Sequence, residues 1–503
     1  MRKWKLWAGF CLLTIGANVY HQNAEIQKYG NRITANDLRD CLTILSSDAL
    51  EGRETGKRGQ KIAAAFIRAH FEELGLQAPV NGDYYQTFDL YTTRPGDNYV
   101  TVAGNRFTNF TDVTFYGNND SGGEVSVPLI FGGNGSDEAL AQLGDLTGKA
   151  FFLLVEGEFP TNDRLQLLRS KGVKMIFVSH SKSKADFDAT SNQIKSFSGK
   201  RDLSLQKPLS SSSVPGVFIV SPLMTEKFFG LPRNELIKIM EGGYKKNAFK
   251  KIKPIEIKYR TYSDLKPIKT ENVLGFLEGS DKKDEVIVIT AHYDHVGVKK
   301  DGVGDLIHNG ADDDGSGTTA VMELAKIFSE AKKEGRGPRR SILFMLVTGE
   351  EKGLLGSDYY TQNPVFPLEN TVVDLNIDMI GRRDFKHRDS PPYLYVIGAD
   401  KLSSELNRVS ETINKQYSNL IFDYTYNDVS HPDRLYYRSD HWNFAKNNIP
   451  IIFYFDGIHE DYHKPSDEIG KIEFDLLTKR TQCIFYTAWE IANRTERIAP
   501  DKK

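Results

Sequence analysis

Cysteine is scarce, with three in 503 residues, and the leading apolar stretch from Leu6 to Gly16 is too short to span a bilayer. Preceded by the positive Met-Arg-Lys-Trp-Lys, that stretch reads as an export signal over residues 1–24, cleaved after Ala17 or Ala24. An uncleaved anchor is the minor alternative, and no other membrane insertion is expected. Once the signal is gone two cysteines remain, Cys41 and Cys483, each on the apolar face of an expected helix. A disulfide and two buried thiols fit those positions equally well, so the bond stays open. An excess of either charge is missing too: 65 basic against 67 acidic residues give a net charge of −2, which excludes a nucleic-acid partner and a charged membrane surface as expectations. The locally basic run from Lys245 to Lys258 reads as a solvated face. Internal repeats and a long disordered tail are also lacking.

The informative part of the chain is a series of acids and histidines in glycine-rich turns. His292 and Asp294, Asp313, Glu350 and Glu351, Asp378, and His463 each follow or border an apolar run, as Glu285 to Ala291 precedes His292 and Ser341 to Gly349 precedes Glu350. Such runs read as buried strands of a mostly parallel sheet, whose sites gather beyond the carboxyl ends of the strands. A single acid or histidine in a loop is ordinarily a cap, a turn former or a solvated side chain. Here the acids crowd. Gly310-Ala-Asp-Asp-Asp-Gly-Ser-Gly317 sets three of them in one turn ahead of a helix from Thr318 to about Lys333, and they would repel one another without a cation. In His292-Tyr-Asp294 a carboxylate two residues from an imidazole is suited to orient the ring.

Taken in order, His292-x-Asp294, Asp313 in its acidic turn, Gly349-Glu350-Glu351, Asn376-Ile-Asp378-Met-Ile-Gly381 and Asp461-Tyr-His463-Lys-Pro-Ser-Asp467 resemble the motifs of the M28 family of dizinc peptidases over about residues 256 to 495. The resemblance implies two Zn²⁺ ions bridged by Asp313, with His292 and Asp378 on one and Glu351 and His463 on the other. It makes Glu350 the general base, Tyr462 a donor to the substrate carbonyl or its oxyanion, and Arg438 a substrate contact. It also implies a cis peptide bond between Asp313 and Asp314. His295, His308, His431, His441 and His459 are left without a ligand slot and read as packing, supporting or rim residues.

The expected fold is α/β: a mostly parallel or mixed twisted sheet flanked by helices, of zinc exopeptidase type. Residues 32–100 would open the peptidase domain, with helices Thr34 to Ser47 and Gly59 to Leu74 and a strand Tyr85 to Thr92, and residues 256–495 would complete it. Asp48-Ala-Leu-Glu-Gly-Arg-Glu-Thr-Gly56 resembles the opening of secreted M28 enzymes. Between them, residues 101–255 hold short β runs and no metal motif, an arrangement similar to an inserted protease-associated (PA) domain, α/β or β-rich, that would roof or flank the site. The functional expectation is an exported exopeptidase acting on peptide or protein substrates as an aminopeptidase. Alternatives are a carboxypeptidase of the same superfamily, a glutaminyl cyclase-like enzyme, or a non-catalytic binding protein of this fold.

Overall fold

The computed structural model describes residues 25–117, 120–199, 203–207, 216–241 and 252–502. The expected signal, the break Ser210 to Ser213 and the first half of the run from Lys245 to Lys258 lie outside the described residues. Two compact units emerge, one formed by residues 1–89 with 269–503 and the other by Leu90–Ile268.

The first unit is built on an eight-stranded mixed sheet. Its strands are β1 (Tyr85–Pro95), β2 (Ser263–Leu277), β3 (Lys282–His292), β4 (Arg340–Val347), β5 (Thr371–Ile377), β6 (Tyr393–Ile397), β7 (Ile421–Asp423) and β8 (Ile451–Phe455), in the order β1-β2-β4-β3-β5-β8-β6-β7. The centre, β4-β3-β5-β8, is parallel. Burial on both faces explains why these strands read as unbroken apolar runs. Along β3, Ile287, Ile289 and Ala291 enter one core layer while Val286 and Val288 enter the other. Because the parallel strands share a direction, the residues that follow each converge at one end of the sheet.

Helix α1 (Gly315–Lys333) begins at that end, with Asp314 as its N-cap. The sequence places the helix start at Thr318, whereas the glycine-rich turn is itself the first helical turn. Gly317 is required there, since a Cβ would stand 2.4 Å from Oδ1 of Asp314 and 2.7 Å from the carbonyl oxygen of Ile377. Helix α2 (Phe474–Asn493) buries Leu477, Ile484, Ala488 and Ile491. Cys483 on α2 and Cys41 are both free thiols, so the open question of a disulfide resolves toward thiols. None of the described helices is long and apolar enough to cross a membrane.

The second unit carries its own eight-stranded sheet. Its strands run Asn105–Thr108, Tyr99–Val102, Ile255–Arg260, Val125–Phe131, Ala150–Leu154, Met175–Ser179, Val217–Val220 and Val113–Tyr116 across the sheet. The four strands from Val125–Phe131 to Val217–Val220 are parallel, and helix Asn162–Ser170 connects two of them. Aromatic packing dominates the core, where Phe177 and Phe218 stack at 5.2 Å between ring centres.

Candidate metal centre

His292 is the last residue of β3, and Glu350 and Glu351 stand just beyond β4 in a short turn (Glu350–Lys352). Asp378 follows β5 directly, Asp313 precedes the cap of α1, and Tyr462 and His463 lie in the segment after β8. His292, Asp313 and Asp378 are buried, while Glu350, Glu351, Tyr462 and His463 are partly exposed. Their nitrogen and oxygen atoms meet around Asp313. Oδ1 of Asp313 lies 3.3 Å from Nε2 of His292, which is in turn 3.6 Å from Oδ1 of Asp378. Oδ2 of Asp313 lies 3.1 Å from Nε2 of His463, which is also 3.1 Å from Oε2 of Glu351. One carboxylate therefore presents a separate oxygen to each of two clusters, the disposition expected of a bridging ligand. The Asp313–Asp314 peptide bond is cis.

Two donor groups are compact enough to hold an ion: His292, Asp313 and Asp378, and His295, Asp313 and Glu351, with the contributing atoms of each group within 4.8 Å of one another. Imidazole nitrogen and carboxylate oxygen are the ligand types zinc accepts without thiolate. The electrostatics agree with that fit. Burial pushes the Glu350 carboxyl up, Glu351 and Asp378 push it further, and His292 does not offset them, so it sits well above the usual carboxylate range. At Asp313, burial is outweighed by His295, His292 and His463, which hold it well below that range. At His463, burial acts downward and is overcome by Asp313 and Glu351, which raise it to about 10. The acids raise His292 and His463 toward their protonated forms, so the cluster draws in positive charge.

The supporting contacts differ in one respect from the sequence expectation. Nδ1 of His292 meets the main-chain oxygen of Asp294 at 3.1 Å, and the Asp294 carboxylate is 3.9 Å away. That carboxylate instead accepts from the Thr55 hydroxyl at 2.5 Å and from the Glu350 main-chain N–H at 3.2 Å. Thus Asp294 orients the ring through its backbone, because residues two apart on an extended segment bring the carbonyl closer than the side chain, and its carboxylate places Glu350. Asp314 ties the end of β3, the first turn of α1 and the turn after β5 together, accepting from the main-chain N–H groups of His292, Gly317 and Met379 at 2.9 to 3.2 Å. The Ser439 hydroxyl donates to Oδ2 of Asp378 at 2.7 Å. Asp467 accepts from the N–H groups of Asp312 and Asp313, which explains why its motif extends four residues past His463. Of the remaining histidines, His441 bonds the Tyr436 carbonyl and His459 bonds Asp312, as supporting groups do. His295 does not follow them. The sequence reading leaves it a packing, supporting or rim role, yet it lies in one of the two donor groups.

Arg53, inside the segment Asp48 to Gly56, is 1% exposed. Its guanidinium donates to the carbonyls of Tyr293, Leu45, Asn309 and Gly310 at 2.6 to 2.9 Å, fastening the turn after His292 to the turn before Asp313. Nothing in the local pattern marks this role, since three of its four partners are backbone atoms 240 to 257 positions away. Arg53→Met leaves these carbonyls without donors at ~1–3 kcal/mol each, partly relieved by water. A loss of about 3 kcal/mol or more in unfolding free energy is expected from denaturant titration of the first unit, and an unchanged midpoint would show the clamp to be dispensable.

A pocket opens on the cluster, lined by His292, Asp313, Glu350, Asp378, Arg438 and Tyr462 on its polar side and by Met379, Leu435, Phe453, Phe455 and Ile458 on its apolar side, with about 370 Å³ of empty space including its mouth. The Tyr462 ring stacks on that of His463 at 3.9 Å.

Comparison with known proteins places this geometry. Residues 272–488 match the model of peptidase family M28. A "Probable zinc metalloprotease" of Leptosphaeria maculans is 37% identical over 116 residues, which cover 23% of this chain and 25% of that protein. Another from Pyrenophora tritici-repentis is 25% identical over 263 residues, 45% of this chain and 52% of its own. The rat "Aminopeptidase NAALADL1" is 31% identical over 146 residues, 28% of this chain and 18% of its own. The chain thus spans between 18% and 52% of the length of these curated relatives. Among solved structures, an aminopeptidase from Aneurinibacillus sp. strain AM-1 superposes with a TM-score of 0.49 at 17% identity, covering 95% of this chain and 98% of its own. The segment that matches the peptidase family M28 model, residues 272–488, contains every residue of both donor groups.

Proposed function

We propose that the chain is an exported zinc aminopeptidase that removes N-terminal residues from peptides. His292, Asp313 and Asp378 would hold one ion, and Asp313, Glu351 and His463 the other. When bound, two such ions polarise a scissile carbonyl and make water a nucleophile near neutral pH. Glu350, whose Oε2 faces His292 at 3.9 Å on the pocket wall, takes the proton of the attacking water and delivers it to the leaving amine. Burial and the surrounding acids raise the Tyr462 hydroxyl far above its usual range, so it keeps its proton and serves as a donor to the developing oxyanion. The apolar wall of the pocket suits a first residue with an aliphatic or aromatic side chain. Export through residues 1–24 and a substrate-restricting, PA-like part for residues 101–255 belong to the same reading.

The observation that carries the choice of end is the fate of the cations. A carboxypeptidase needs them to hold a terminal carboxylate. Arg382 is engaged with Asp461 at 3.0 Å, Arg383 with Glu473 at 3.0 Å, and Lys464 with the Glu460 carbonyl at 2.7 Å. Arg438 alone of these four lines the pocket, beside Asp313, Glu350 and Asp378. That field favours a protonated α-amine. A glutaminyl cyclase-like or non-catalytic reading is disfavoured because both donor groups are complete.

The test compares a free-amine peptide beginning with leucine, its N-acetylated twin and its C-amidated twin. Acetylation removes the charge these acids attract and is expected to lower kcat/KM at least ~100-fold, the effect of ~3 kcal/mol from a desolvated charge pair. Amidation should change little. Cleavage of the acetylated peptide without cleavage of the amidated one would replace this reading with the carboxypeptidase one.

A further inference from the structure

The assignment of five protein ligands leaves His295 unused, although it is fully buried and stands three residues beyond His292. Among the described residues, both of its ring nitrogens, Oδ2 of Asp313 and Oε1 of Glu351 complete no hydrogen bond. These atoms converge. Nδ1 of His295 lies 2.8 Å from Oε1 of Glu351 without the alignment of a hydrogen bond, and 3.8 Å from Oδ2 of Asp313. Leaving a buried polar atom unpartnered costs ~1–3 kcal/mol, so several facing one another mark a place for something that accepts lone pairs from all of them. A packing histidine behaves otherwise: His441 and His459 each bond a neighbour through Nε2 at 2.8 and 3.1 Å. The ring of His295 also meets that of His463 edge-on at 5.8 Å, so two imidazoles flank the Asp313–Glu351 pair.

We propose that Nδ1 of His295 is a further protein ligand of the ion held by Asp313, Glu351 and His463. This rests on the reading of the cluster as a two-metal centre. The two sites are then unequal. One is furnished with three protein donors, His292, Asp313 and Asp378, and the other with four, His295, Asp313, Glu351 and His463. A four-donor zinc site is closed in the manner of structural sites, whereas a three-donor site keeps a position open for chemistry. The pocket agrees with that division, since His292, Asp378 and Glu350 line it and His295, Glu351 and His463 do not. The four-donor ion is the tight one, and the reaction is centred on the His292 side.

The test is zinc loading of the full chain against a chromophoric chelator, for the unaltered protein and for His295→Phe and His295→Asn. The unaltered protein should bind two ions in two steps. His295→Phe, which fills the space without a donor, should weaken the tighter step at least ~100-fold and leave the weaker one within ~3-fold. His295→Asn, which keeps an oxygen near the position of Nδ1, should weaken it by less, and it decides the matter if the Phe variant does not fold. In the Co²⁺-loaded protein, proton NMR should show three hyperfine-shifted imidazole N–H signals, falling to two in His295→Phe. Unchanged two-step loading in a folded variant, or only two shifted signals in the unaltered protein, would overturn the assignment of His295 while leaving the two-metal reading in place. An unaltered protein that binds no zinc would overturn both.

Discussion

Glu350→Gln is expected to lower kcat at least ~10²-fold while the protein keeps its full complement of metal. The amide has the shape of the carboxyl but cannot take a proton from water, and Glu350 belongs to neither compact donor group. Its position supports a proton-transfer role. The main-chain N–H of Glu350 is fixed by Asp294, and its side chain faces the pocket near His292. Glu351→Gln should behave differently, weakening metal loading before it affects the chemistry, because its oxygens contact His463 and His295. Elemental analysis beside steady-state rates separates the two. Near-full activity of Glu350→Gln would remove it from the mechanism.

Stripping the metal should abolish activity and lower the thermal midpoint together. Asp313, Glu351 and Asp378 crowd together beside the pocket, and without metal the protonated His292 and His463 offset only part of their repulsion. An ion at ~100 times its dissociation constant stabilises the fold by ~2.7 kcal/mol, so two bound ions contribute roughly 5 kcal/mol and a shift on the order of 10 °C. Readdition of zinc should restore both quantities. A midpoint insensitive to chelator would mean that the cluster is held together without cations.

Much of this was legible because the strands of the first unit are buried on both faces. Continuous apolar runs ending in His292, Thr348-Gly349 and Asp378 can hardly be read otherwise, and a parallel sheet then brings their ends together. Boundaries were less legible where a cap decides them. The helix expected from Thr34 to Ser47 spans Ala35–Leu45, with Thr34 accepting from the Asp37 N–H and Ser46 closing it. What the sequence did not disclose are contacts made through backbone atoms or across long separations: the Arg53 clamp, the Ser439 hydroxyl on Asp378, and the main-chain contact from Asp294 to His292. His295 escaped for another reason. A motif that fills five ligand positions leaves a further histidine looking redundant, and only the geometry shows its nitrogens unpartnered beside Asp313 and Glu351.

The most direct test of the account is the zinc content of the protein after gel filtration, measured by elemental analysis for the unaltered chain and for Asp313→Ala. Because one oxygen of Asp313 faces each cluster, the account predicts two zinc ions per chain and the loss of both in the single variant. One ion or none in the unaltered, active protein, or two retained by a folded Asp313→Ala, would contradict it.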